Sequence, residues 1–514
     1  MSELNFGRIL RHAELYRDEL AVCDLDNGHE SRYGEHIDRV GRVCGALSAL
    51  GIKGDMPFAV LAGASHAYIE LWRAGLAGGG IINPLNSRLA PEEMIYILND
   101  SGAEVLFVDD DHADIALAFR TRVPSLRRIV QIGAGRRPDC DGHLEDLMTA
   151  STSALPAEPS ATDAAVLMYT GGTTGLPKGV ILSQKAVTLV IYRSLIEFPI
   201  APGFRFLNFM PMFHIGSITS WGLLVPGGGA TFVLPAYDAV PVNRAIDQHG
   251  INLIGAVPTM LAQLIDQPDF TEKTWHSLRL ILYGAAPMPQ PLLERLLAIS
   301  PDLSLVQSYG MTECASTVSA LKPQDHREGG ELLGSVGRAC IGVDLETRHA
   351  DGRKTETNEV GEIYVRCDSA MTAYWNKPEQ TKDSLVDDWY RTGDAGRVDE
   401  RGYLFLADRV KDMIVSGGEN VYSLEVENAI VSHPDVLAVA VVGLPHDVWG
   451  EAVHAVVVCD PDAIDEATLD AHARKTIAGF KVPKTWTLQR EALPLSAAGK
   501  VLKRELRDRF APAH

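Results

Sequence analysis

The sequence predicts an α/β protein built from more than one domain, and three observations lead there. The chain has 514 residues, too many for one hydrophobic core and enough for roughly three compact units. Its first 160 or so residues alternate helix-like with strand-like patterns, the signature of a parallel sheet layered with helices. Its last hundred or so residues change character, with Val/Ala-rich runs beside a helical stretch, and read as a smaller α+β unit.

Taken in order, residues 36–50 space their apolar positions as an amphipathic helix does. Residues 57–62 read as a strand. Residues 67–76 read as a helix ending in glycines, and 104–108 as a strand that meets Asp109, Asp110 and Asp111. That acidic triplet reads as a solvated strand end, because nothing nearby completes a metal-ligand set. Residues 151–162, rich in Ser, Ala, Pro and Thr, form a loose connector. Residues 164–168 are an apolar run that fits a buried strand. Ile363 and Val365 alternate with more polar neighbours, so 334–366 reads as a small antiparallel, β-rich subdomain. Residues 436–442 and 453–458 read as short strands and 469–478 as helix.

Bulk composition limits the function. Apolar content of 46% and charged content of 22% are ordinary for a globular protein. The net charge of -20, from 47 basic and 67 acidic residues, argues against a nucleic-acid partner, which needs clustered Lys and Arg. The seven cysteines are scattered without a C-x-x-C pair, as reduced thiols of a cytoplasmic protein would be. The first residues carry no signal-peptide core, and no apolar run reaches the length of a membrane span.

Several segments carry chemistry. Tyr169-Thr170-Gly171-Gly172-Thr173-Thr174-Gly175-Leu176-Pro177-Lys178-Gly179 combines bare backbone N–H groups, hydroxyls and one ammonium, a set suited to polyphosphate. It is not a Walker A loop, because Gly179 and not Ser or Thr follows Lys178. By itself the run fits a flexible surface loop equally well. Phe213-His214-Ile215-Gly216 is an apolar stretch with one histidine, ordinarily a core residue. Gly284-Ala285-Ala286-Pro287 leaves a strand with side chains small enough for a flat ring to lie against backbone. Gln307 to Glu313 (QSYGMTE) offers an aromatic face for a purine and a hard carboxylate for Mg²⁺. Gly393-Asp394 alone would be a turn. Asp408 to Asp412 (DRVKD) is a charged linker, Gly417-Gly418-Glu419-Asn420 a glycine loop, and Gly499-Lys500 a lone pair near the end.

Together and in this order, the segments resemble the adenylate-forming superfamily of acyl-CoA synthetases, stand-alone adenylation domains and beetle luciferases, over nearly the whole chain. The resemblance implies a large domain over 1–408, a hinge over 409–412 and a mobile domain over 413–514. It implies that Thr170, Gly171, Gly172, Thr173, Thr174, Gly175 and Lys178 hold the phosphates of ATP; Gly171 departs from the serine found in many members. Gly284, Ala285, Ala286 and Pro287 would flank adenine. Tyr309 would stack on it beside Gly310 and Met311, Thr312 would touch the α-phosphate, and Glu313 would hold Mg²⁺. Asp394 would bind the ribose and Arg409 the ribose or phosphate. Phe213, His214, Ile215 and Gly216, with Ala285, would line the acyl pocket, and His214 would flank the reacting carboxylate. Lys411 would be the pivot, and Gly417, Gly418, Glu419 and Asn420 would serve thioester formation. Lys500 would be the catalytic lysine of the first step.

The activity implied is an acid:CoA ligase that uses ATP, Mg²⁺ and coenzyme A. No Lys or Arg occurs between Phe206 and Ala230, which favours an apolar aryl or fatty acid over a dicarboxylate. Lys481, Lys484 and Lys503 add positive charge that either helps hold the phosphates of coenzyme A or keeps this end soluble. The alternative is an adenylation enzyme that loads a carrier protein's phosphopantetheine arm. Nothing in the chain specifically suggests a luciferase-like oxygenase. A non-catalytic module would be expected to lose Lys178, Glu313, Asp394, Arg409 and Lys500, and all five are present. The sequence leaves a homodimer open.

Overall fold

The computed structural model describes residues 4–171, 176–284, 288–300, 302–409, 412–416, 419–446, 449–495 and 501–511; residues 219–221, 409 and 420 are described by backbone alone. The large region contains two sheets with parallel centres. In the nine-stranded sheet, Leu20–Asp24, Ala230–Val233, Arg205–Asn208, Leu253–Ala256, Leu280–Gly284 and Ser304–Met311 run parallel in that spatial order. Antiparallel strands close both edges. In the eight-stranded sheet, the parallel set ends at Ala164–Thr170, and Lys178–Ser183 and Ala373–Tyr374 then add antiparallel. Such strands are buried on both faces and so read as continuous apolar runs; all four residues of Val105–Val108 are buried. One hydrophobic core joins the sheets, holding Val22 and Phe206 from one, Phe58 and Ile82 from the other, and Trp72 from the helix His66–Ala74.

The β-rich subdomain is a five-stranded antiparallel sheet built on Val343–Arg348, Gly361–Cys367, Trp389–Val398 and Leu404–Arg409, with Leu385–Val386 at one edge. The C-terminal sheet is antiparallel except for Thr485–Gln489, which pairs parallel. Helices Ser423–Val431, Glu466–Ala473 and Lys503–Phe510 accompany it.

Several boundaries differ from the sequence reading. The two Val-rich strands are long, Val436–His446 and Gly450–Cys459. Gly443, Leu444 and Pro445 are drawn into strand by the partner opposite them, an influence that local propensity does not report. The first predicted helix spans Tyr33–Ala49, the second gives way to a glycine turn over Gly75–Gly79, and the last covers Glu466–Ala473. In the acidic triplet Asp110 and Asp111 are exposed, as read, and two of the three also hold the neighbouring loops: Asp109 accepts from Gly63 N at 2.7 Å and pairs with His112, and Asp110 accepts from Gln131 and from Gly135 N.

The charged linker is anchored on both sides. Asp408 accepts from Ser423 N, and Asp412 pairs with Arg507 at 2.8 Å. Among the described residues no helix is long and apolar enough to cross a membrane.

Candidate active site

The Gly/Thr loop hangs from a hairpin. Ala164–Thr170 and Lys178–Ser183 pair antiparallel, with Thr170 opposite Lys178. The strand therefore continues two residues past Met168, and Lys178-Gly179 opens the return strand. Gly172, Thr173, Thr174 and Gly175 lie outside the described residues. The hairpin base is clamped from outside. The Tyr169 phenol donates to Asp100 Oδ2 at 2.7 Å, and Trp375 donates through Nε1 to Asp100 O at 3.0 Å and through its backbone N–H to Gly179 O at 2.7 Å. Gly179 is needed here: a Cβ would lie 2.9 Å from Leu167 and 3.1 Å from Trp375. At Gly171 a Cβ meets nothing within 4 Å among the described atoms.

The QSYGMTE segment is mostly strand. Ser304–Met311 carries Tyr309 and Gly310 to the sheet's end, and a tight turn over Thr312–Cys314 then presents Glu313. The turn is strained: Ala315 and Ser316 hold φ of 61° and 119°, conformations that side chains disfavour and that concentrate at functional sites. It folds back so closely that a Cβ on Gly310 would lie 1.7 Å from Ser316 O. Gly284 is fixed in the same way, 2.4 Å from Ser308 O. Ala285, Ala286 and Pro287 lie outside the described residues.

Glu313 is buried, and its Oε1 accepts from the Tyr374 phenol at 3.0 Å. The other face of that connection is Lys178, whose Nζ lies 4.8 Å from the Tyr374 ring centre. Burial holds the Tyr374 phenol well above its usual pKa, so it stays a protonated donor. Across the turn, Tyr309 donates to Asp394 Oδ2 at 2.8 Å. Burial, reinforced by that carboxylate, holds Tyr309 far above 10. Asp394 lies within the strand Trp389–Val398 rather than on an isolated turn, opposite Arg409. Its backbone N–H donates to Thr392 Oγ1 at 3.0 Å.

His214 precedes the helix Ile215–Gly222 and packs against Phe213 with ring centres 4.7 Å apart. Phe213 is buried and Gly216 exposed. The fully buried Trp72 fixes this segment by donating to Met212 O at 3.2 Å.

The comparisons fit this arrangement. The family model described as AMP-binding enzyme matches residues 9–375, and its C-terminal domain model matches 425–500. The chain belongs to the AMP-binding enzyme family. Among curated members, a long-chain-fatty-acid–CoA ligase of Mycobacterium tuberculosis is 34% identical over 510 residues, covering 99% of each chain. A feruloyl-CoA synthase of an Amycolatopsis species is 36% identical, covering 95% of this chain and 96% of its own. A fatty acid–acyl-carrier-protein ligase of Streptomyces coeruleorubidus is 34% identical, covering 95% and 93%. Among solved structures, ATP-bound MatB from Rhodopseudomonas palustris superposes with a TM-score of 0.89 at 28% identity, covering 99% of each chain.

In this member of the family, Lys411, Gly417, Gly418 and Lys500 lie outside the described residues, as do the side chains of Arg409 and Asn420. The glycine loop joins a hairpin, Ile414–Ser416 with Glu419–Val421, and Ser416 sits opposite Gly450. That register brings in a surface the sequence reading missed. Beside Gly450, Trp449 stacks on His446 with ring centres 4.3 Å apart, and Lys484 Nζ lies 5.5 Å from the Trp449 ring. The other two C-terminal lysines carry ion pairs of their own. Lys481 pairs with Glu425 and Lys503 with Glu427, each at 2.7 Å.

Proposed function

We propose that this chain is an ATP-dependent acid:CoA ligase acting on an apolar aryl or fatty carboxylic acid. The observation that carries the reading is the convergence of Lys178 and Glu313 on Tyr374, with Glu313 on the turn that follows Tyr309, itself bonded to Asp394. A cation for phosphate, a buried carboxylate for metal, an aromatic face for a purine and a carboxylate for ribose hydroxyls together make an ATP site. The named CoA ligases among the relatives support it across almost the full chain.

Magnesium fits these residues. Among the described residues there is no cluster of three or more His, Cys, Asp or Glu that could hold a metal ion. Mg²⁺ characteristically takes one or two carboxylates plus substrate phosphates and waters, and a single buried Glu313 beside the phosphate loop supplies that. When bound, the ion would neutralise phosphate charge.

The acid's carboxylate oxygen attacks the α-phosphorus, and the bond to pyrophosphate breaks, giving acyl-AMP. Lys178, Thr170 and the loop N–H groups bind the departing pyrophosphate. Tyr309 and Asp394 hold the nucleoside, and Thr312 and Lys500 stabilise charge on the α-phosphate. His214, at the mouth of the acyl segment, orients the carboxylate. The thiol of coenzyme A then attacks the acyl carbon, loses its proton, and displaces AMP.

The second step uses other groups. Rotation about Lys411 carries Lys500 away and brings in the loop at Gly417–Asn420. The exposed Trp449–His446 stack, with Lys484 above it, offers a purine face and a cation to the nucleotide end of coenzyme A. Thiol reduction of all seven cysteines fits a cytoplasmic setting.

The test is product detection by mass spectrometry with ATP, Mg²⁺, coenzyme A and a panel of aryl and short- to long-chain acids. An acyl-CoA product supports the reading and names the acid class. Acyl-AMP without a thioester, together with acylation of an added carrier protein, would move the assignment to the carrier-loading alternative, whose counterpart exists among the relatives.

A further inference from the structure

Tyr374 belongs to none of the motifs that suggest chemistry, yet it touches two of their residues. It sits on the two-residue strand Ala373–Tyr374, which pairs with the return strand of the phosphate hairpin, Tyr374 opposite Val180. Its backbone N–H donates to Thr381 Oγ1 at 3.0 Å, and Tyr390 and Ser384 interact with its hydroxyl. The ring is therefore held from several sides. Its hydroxyl reaches Glu313 and its face receives Lys178, residues 135 positions apart in sequence (313 minus 178).

We infer that Tyr374 is a positioning residue for adenylate formation, setting Glu313 through its hydroxyl and Lys178 through its ring face so that metal ligand and phosphate cation share one geometry. The physical basis is specific to each end. A carboxylate can swing about its last torsions; a donated hydrogen bond to Oε1 fixes one oxygen and orients the other. A lysine ammonium on a four-carbon stem is a loosely held point charge; an aromatic face nearby restricts where it dwells, through the ring's quadrupole. Because one rigid side chain makes both contacts, a displacement of the hairpin is transmitted to the metal ligand. The inference rests on the proposed roles of Glu313 and Lys178.

Two variants separate the two contacts. Tyr374→Phe keeps the ring and removes the hydroxyl; Tyr374→Leu removes both. Mn²⁺ binding, read by electron paramagnetic resonance in the presence of an ATP analogue that cannot be cleaved at the α-phosphate, reports the metal end without turnover. Acid-dependent pyrophosphate release gives KM for ATP and kcat, and thermal unfolding checks the fold. Tyr374→Phe should weaken Mn²⁺ binding about tenfold, the scale of one hydrogen bond to a charged group, with KM for ATP nearly unchanged at saturating metal. Tyr374→Leu should weaken Mn²⁺ equally and also raise KM for ATP about three- to tenfold, the scale of a lost cation–π contact.

Wild-type Mn²⁺ affinity in a folded Tyr374→Phe would overturn the inference, as would equal KM values for ATP in the two variants. A purely structural tyrosine would lower the unfolding temperature and leave Mn²⁺ affinity intact. If the wild-type protein released no pyrophosphate with any acid, the functional reading would fall, while the Mn²⁺ measurement would still decide whether Tyr374 sets the metal ligand.

Discussion

Tyr309 donates its phenol proton to Asp394 Oδ2 at 2.8 Å, across 85 residues of sequence. The residues proposed to face adenine and ribose are thereby coupled. The bond orients the carboxylate toward one edge of the ring, where a nucleoside's sugar would follow its base. Tyr309→Phe keeps the stacking face and removes the donor. It should raise KM for ATP about tenfold, as expected for a hydrogen bond to a charged acceptor, and leave kcat within about threefold. Tyr309→Ala should lose stacking as well, a further ~1–3 kcal/mol by analogy with other aromatic–base contacts. Initial-rate kinetics at fixed acid and saturating metal check both.

Two glycines should respond in opposite ways. Gly310→Ala drives a Cβ into Ser316 O, 1.7 Å away. The strained turn must shift, costing about 2 kcal/mol or more, and Thr312 and Glu313 move with it, so adenylate formation should collapse. Gly171→Ser meets nothing within 4 Å among the described atoms. It should alter stability by no more than about 0.5 kcal/mol and lower KM for ATP about threefold by adding one hydroxyl donor. Urea unfolding with parallel ATP titrations measures each change.

Stability should fall on both sides of neutrality, for different reasons. Burial, aided by the stacked His66 ring 4.0 Å away, pushes His29 down to about 4. Its unfolded value is about 6.5, so its contribution is complete above 6.5 and is lost as pH falls toward 4. His29→Gln should flatten that part of the acid limb. On the alkaline side, ten of the fourteen tyrosines are raised above 10, burial being the first cause in each. Their contribution is complete below 10 and lost as pH rises through their folded values. Absorbance titration at alkaline pH should therefore show these ten phenols ionising only with unfolding, detected by circular dichroism.

The two half-reactions should separate genetically. Lys500→Ala should cut adenylate formation by about two orders of magnitude or more, the scale for losing one electrostatic donor, and spare thioester formation from supplied acyl-AMP. Lys411→Pro restricts the pivot and should harm the thiol step more than the first. Rapid-quench measurement of each half-reaction checks the pair.

Much of this was legible before any coordinates. The α/β class followed from alternating apolar runs such as 104–108, because parallel strands are buried on both faces and leave a continuous signal. Lys178, Glu313 and Asp394 are candidates from the sequence because each falls in a segment that matches the family's order of motifs. Tyr374, Asp100 and Trp449 are not. Tyr374 meets Glu313 and Lys178, Asp100 meets Tyr169 and Trp375, and Trp449 meets Lys484 only once the chain has folded. Such adjacency leaves no trace in spacing. Lys481 and Lys503 are the complementary case: their positive charge is visible in the sequence, and the glutamates paired with it, Glu425 and Glu427, are not.

The central claim is that the acid is activated by bonding its carboxylate oxygen to the α-phosphorus before the thiol attacks. Supplying acid labelled with ¹⁸O in its carboxylate, with ATP, Mg²⁺ and coenzyme A, tests it directly by mass spectrometry of the products. The account predicts acyl-CoA together with AMP carrying one labelled oxygen, and unlabelled pyrophosphate. Label in inorganic phosphate beside ADP, or acyl-CoA formed with unlabelled AMP, would contradict it.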